Sequence, residues 1–97
     1  MNWIEIIELR SAGNTQKKLE TQLQEFLKQL EKKTEKQTVK LYTRQMIDTN
    51  VSIHLFHDSS KVKNTGSPLG TKLVSILQSY GLVNHTIWIE QQKKSLT

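Results

Sequence analysis

The stretch Ser67–Glu90, SPLGTKLVSILQSYGLVNHTIWIE, constrains this chain most, because a helix start, a helix stop and a strand follow one another in it. Ser67 before Pro68 marks the start: a serine oxygen accepts an orphan backbone amide, and proline loses nothing at the first helical position. Leu69, Leu73, Ile76, Leu77 and Tyr80 then recur at helical spacing and fall on one side, so one face is buried. Gly81 stands where a helix leaves through a left-handed residue, and Val83–Glu90 is rich in residues that fit a pleated surface. The apolar stripe reads as core, and no catalytic motif lies inside this stretch or outside it.

Trp3–Arg10 mixes alternation with the apolar pair Ile6-Ile7, the pattern of a strand buried on both faces and hence central in its sheet. Ser11-Ala12-Gly13-Asn14 is turn chemistry. After it Leu19, Leu23, Phe26, Leu27 and Leu30 repeat the helical spacing in a first helix that runs to about Lys36. Val39–Ile47 and Val51–His57 read as strands joined by Asp48-Thr49-Asn50, a connection that sets Tyr42 across from Phe56 and Arg44 across from His54. Asp58–Gly66 is a loop into the second helix, and residues 93–97 form a polar tail. The order βαββαβ, with right-handed crossovers and one hairpin, predicts a single ferredoxin-like α+β domain over residues 1–92. Its four-stranded antiparallel sheet has the order 4-1-3-2, with both helices on one face.

Ninety-seven residues support one domain with a modest core and no second domain. An apolar share of 35% is thin for a free monomer, so association is expected to supply part of the burial. Without cysteine there is neither disulfide nor thiolate chemistry, which suits a reducing compartment. The acidic opening MNWIEIIELR lacks the positive region of a signal peptide and no apolar run has spanning length, so a cytoplasmic location away from membranes is expected. The formal charge of +5 permits an anionic partner without requiring one.

Alternation sorts the strands onto two faces. Val39, Leu41, Val51, Ile53, Leu55, Ile87 and Ile89 line the side covered by helices, whereas Tyr42, Arg44, Met46, Ser52, His54, Phe56, Thr86 and Trp88 fall on the other. That second face is too aromatic to be left in water, and a second copy covers it most simply. In element order, length and the SPLGTKLVSILQSYGLVNHTIWIE segment the chain resembles the dimeric α+β barrel superfamily, which holds the antibiotic biosynthesis monooxygenase-like domains. The resemblance implies a homodimer closed sheet to sheet and a small-molecule cavity between sheet and helices; some members oxidise quinols or polyketides without metal or bound cofactor. No catalytic motif of those enzymes maps onto this chain.

The candidate chemistry is sparse. His57 should close the third strand and His85 begin the fourth, roughly 15–20 Å apart in strands of ordinary length. His54 points away from His57, so neither a three-ligand metal site within one protomer nor a cofactor is expected. His85 shares the parity of Ile87 and Ile89 and is the candidate proton carrier, beside Trp88, at the mouth of a cavity under the second helix; a packed or half-exposed histidine following a helix stop is the preferred reading. His54 with Arg44 is placed to meet an acidic ligand, or a carboxylate such as Glu5 or Glu90 across a dimer. Lys61, Lys63 and Ser67 precede a helix, where anions are favoured, although the spacing of a phosphate loop is missing and a solvated connection accounts for them. Ser59, Ser60 and Ser67 have no histidine and carboxylate fixed nearby by sequence, so nucleophilic catalysis is not expected. Nucleic acid is disfavoured, because VSIHLFHD offers only Phe56 in a base-stacking position. The expectation is a homodimer with a small-molecule site between helices and sheet. The alternatives are a cofactor-independent monooxygenase-like enzyme, an RNA-binding platform and a purely structural oligomer.

Overall fold

The inward positions of the opening strand, Trp3, Glu5, Ile7 and Leu9, are all buried, and this strand is paired on both sides. The computed structural model describes residues 2–11, 16–33, 38–45, 47–58 and 61–91. Along them run β1 (Asn2–Ser11), α1 (Gln16–Lys33), β2 (Thr38–Arg44), β3 (Ile47–Asp58), α2 (Pro68–Leu77) and β4 (Gly81–Ile89). The strands form one antiparallel sheet in the order β2-β3-β1-β4, the expected 4-1-3-2 taken from its other edge. The architecture is α+β and compatible with a ferredoxin-like fold.

Both helices press their stripes on the same side of the sheet. Leu19 and Leu23 of α1 and Leu73 and Leu77 of α2 share a core with Ile7, Leu9, Val51, Ile53 and Leu55. Of the expected inward set, Val51, Ile53 and Leu55 lie in this core and Val39 and Leu41 at its margin, beside Val83, whereas Ile87 and Ile89 on the edge strand line a groove outside it. The Tyr80 hydroxyl donates to Gln22 and ties the exit of α2 to α1. No helix among the described residues is long and apolar enough to cross a membrane. The turn residues 12–14, the first helix beyond Lys33, the side chain of Leu30, Met46, Ser59, Ser60 and the 93–97 tail lie outside the described residues.

The hairpin turns earlier than its residue types suggest. Reversal falls between Arg44 and Ile47, and Asp48-Thr49-Asn50 belongs to β3, where Asn50 pairs with Arg10. Tyr42 therefore lies across from Ser52 rather than Phe56, and His54 across from Lys40 rather than Arg44, a slip of four residues. An even slip keeps every side chain on its face, and the observed register sets Leu41 across from Ile53 and Val39 across from Leu55. The early reversal lets the central strand pair β3 along its whole length, which outweighs local turn preference.

Gly81 also differs from expectation. Helix α2 ends at Leu77, and Gly81 is the first residue of β4 without a left-handed backbone; among the described glycines Gly66, at φ 92°, has positive φ. A side chain at Gly81 is barred instead by the Arg10 carbonyl on β1. Leu55→Ala, which empties a fully buried position on β3, is expected to lower unfolding stability by about 2–5 kcal/mol in urea titrations followed by circular dichroism.

Candidate functional site

Glu5 breaks the apolar series on the inward side of β1, and its side chain is fully buried. A carboxylate in that position must be hydrogen-bonded to offset its lost hydration. Four donors supply this. Oε1 accepts the Ser67 backbone N–H at 2.9 Å and His85 Nε2 at 2.9 Å; Oε2 accepts the Ser67 hydroxyl at 2.5 Å and His57 Nε2 at 2.6 Å. Each oxygen holds two donors, the full acceptor capacity of an ionised carboxylate.

The elements converge for identifiable reasons. Glu5 lies across from Leu55 on β3 and Ile87 on β4, so His57 and His85 are its diagonal neighbours on either side and share its face. Helix α2 points its N-terminus at the carboxylate, where free amides and the dipole favour negative charge. The predicted cap is present and also serves the acid, since the Ser67 hydroxyl accepts from Gly70 N–H at 3.0 Å while giving its proton to Glu5. Gly66 and Gly70 stand against the cluster, and a β-carbon on either would collide with the Glu5 carboxylate. Gly66-Ser67-Pro68-Leu69-Gly70 is thus a wrapping for one buried acid.

Burial by itself raises the Glu5 pKa, but the hydrogen bonds from Ser67, His57 and His85 together overturn this and hold the carboxyl below its ordinary value. Because the carboxylate only accepts, both histidines must carry a proton on Nε2. Their surroundings then differ. His57 is sealed beneath Trp3, whose indole stacks on it at 4.0 Å between ring centres, while the His85 side chain keeps 19% of its surface exposed. The Trp3 indole N–H has no hydrogen-bond partner among the described residues. His85 borders a groove of about 600 Å³ shared with Val62, Asn64, Thr65, Ile87 and Ile89.

Sequence reasoning named Ser67 and His85 but separated His85 from His57 and placed Glu5 on the wrong face of the sheet. The backbones of the two histidines are indeed spread along β1, opposite Trp3 and Ile7, yet a third side chain midway lets both rings close on one carboxylate. Glu5 faces the helices, so it is not a carboxylate offered across a sheet-to-sheet contact. A legible signal existed: an acid at an inward position of an otherwise apolar strand, with two histidines of matching parity. Among the described residues no group of His, Cys, Asp or Glu side chains is arranged to hold a metal ion.

The other named residues lie elsewhere. Tyr42, Arg44, His54, Phe56 and Trp88 are on the open side of the sheet; His54 bonds Ser52 at 3.0 Å and packs near Tyr42 and Phe56, while Arg44 sits at the hairpin away from it. Trp88 Nε1 donates to Thr86 at 2.9 Å. Lys61 and Lys63 are exposed on the loop before α2, whose N-terminus is filled by Glu5. No protein-family model, curated protein or solved structure matches the chain.

The depressed pKa has a definite sign. Glu5 contributes stability that is fully present above the ordinary value of 4.5 and is lost as pH falls through its lower folded value. The urea midpoint should therefore drop steeply below that pH. Glu5→Gln, which leaves buried donors unpaired, should cost about 3–5 kcal/mol at neutral pH and lose this acid-dependent component. Gly70→Ala should lower the melting temperature even though alanine is the better helix former by about 1 kcal/mol, because its methyl meets the carboxylate.

Proposed function

We propose that this protein is a homodimer joined through the open faces of two sheets, each protomer carrying a small-molecule site between its helices and sheet. The supporting observation is the composition of that face: Trp88 is 58% and Tyr42 45% exposed, beside Ile4, Ile6 and Phe56, with no element of the described chain over them. Four strands about 4.8 Å apart and some 30 Å long offer roughly 600 Å² each, or about 1,200 Å² in a pair, the lower bound of a stable interface.

The placement of charge supports a second copy in one orientation. Arg10 and Arg44 border a groove of about 720 Å³ at one end of the face, and Asp58 and Glu90 border one of about 470 Å³ at the other. Glu8 lines the first groove beside the two arginines and leaves that end net basic, and Lys40 lies over the Phe56 ring near the middle. An in-plane two-fold axis running across the strands reverses their direction, so the basic end of each copy meets the acidic end of the other. Arg10 then lies between Asp58 and Glu90 of the partner subunit. An axis along the strands would gather like charges at each end.

Sedimentation velocity tests this. A dimer is expected, reduced to monomer by Trp88→Arg, weakened at least tenfold by Arg10→Glu and restored when Arg10→Glu is combined with Glu90→Arg. A wild-type monomer at high micromolar concentration would overturn the assembly, and one that copurifies with nucleic acid would assign the open rings to base stacking.

A further inference from the structure

Of the two imidazoles on Glu5, one is enclosed and one faces outward. His85 Nε2 is committed to the carboxylate, so the neutral ring carries its lone pair on Nδ1. Among the described residues nothing bonds that nitrogen. A buried acid, a capping serine and two glycines pressed against the acid are a large investment for orienting one ring, and such arrangements of ionisable groups gather at functional sites.

The groove states what it would accept. Val62, Ile87 and Ile89 make part of its lining apolar, and Asn64 and Thr65 add hydrogen-bonding groups. Nδ1 offers a lone pair and no proton, and the Glu5 charge lies behind the ring, so a ligand carboxylate would find no donor and be repelled. A cationic ligand is disfavoured by the +5 excess of the chain. A neutral hydroxyl on an apolar body fits both conditions.

We propose that this groove binds a small apolar molecule carrying one acidic hydroxyl, phenolic or enolic, and that His85 Nδ1 takes its proton. The ligand O–H bond breaks, an N–H bond forms on Nδ1, and no electrons are exchanged. The resulting imidazolium is paired with the Glu5 carboxylate at Nε2, so the ion pair forms without rearranging the protein. His85 is the residue that touches the ligand; Glu5, Ser67 and Gly70 are positioning residues. The inference rests on the small-molecule part of the proposed function, places that site between the loop before α2 and β4, and does not depend on the dimer.

The test uses full-length protein labelled with ¹⁵N at histidine and observed by long-range proton–nitrogen NMR. In the free protein His85 should show a protonated Nε2 and an unprotonated Nδ1. Titration with 4-cyanophenol should move Nδ1 toward the protonated range saturably, while its methyl ether leaves it unmoved and His57 changes little. His85→Gln, which keeps a donor for Glu5, should bind the phenol at least tenfold more weakly. A free protein with Nδ1 protonated, equal responses to phenol and ether, or no shift at millimolar phenol would each overturn the inference. Sedimentation of the same sample shows whether the dimer stands when the ligand site fails.

Discussion

A single buried carboxylate holds the architecture together. Glu5 sits on the central strand and is bonded to β3 through His57, to β4 through His85 and to the start of α2 through Ser67. Removing a carboxylate from water costs several kcal/mol, and only a complete set of donors makes it tolerable. Completeness is what demands the local chain: a serine at the helix cap, glycines on either side of it, and imidazoles of the right tautomer. The segment before α2 is therefore more than a loop and a helix start, since its conformation is dictated by an anion contributed from the other end of the chain.

The sheet divides the molecule into two kinds of surface. On the helix side, aliphatic packing around Ile7, Ile53, Leu55, Leu73 and Leu77 merges at one edge into the carboxylate cluster, so the polar network borders the dry core and draws strength from the low dielectric. On the open side, aromatic and aliphatic groups alternate with charges gathered at opposite ends. The two sides need different partners. The first carries the carboxylate cluster and the His85 groove, and the second leaves Trp88 and Tyr42 exposed between a basic and an acidic end.

Legibility followed how local each determinant is. The Ser67 cap, the helical stripes around Leu19, Leu23, Leu73 and Leu77, the central position of β1 and the alternation along β1 and β3 depend on neighbours a few positions apart, and these are found in the structure. The hairpin register and the role of Gly81 were misjudged because residue type suggested a turn at Asp48-Thr49-Asn50 and a left-handed stop. Pairing with β1 claimed both segments: Asn50 extends the ladder opposite Arg10, and Gly81 is small because the Arg10 carbonyl lies against it. Face assignment survived the register error only because the slip was even.

The amino-acid sequence by itself determined the order of elements, the cap, and which side chains share a face, since period and capping chemistry act over a turn or a pleat. Tertiary structure decided that Glu5, His57, Ser67 and His85 are one cluster. Their meeting depends on the registers of β1 with β3 and with β4, which align backbone groups 52 to 80 residues apart, and no local spacing encodes that alignment. An inward acid announces that it needs donors, but only the folded ladder can say which ones reach it.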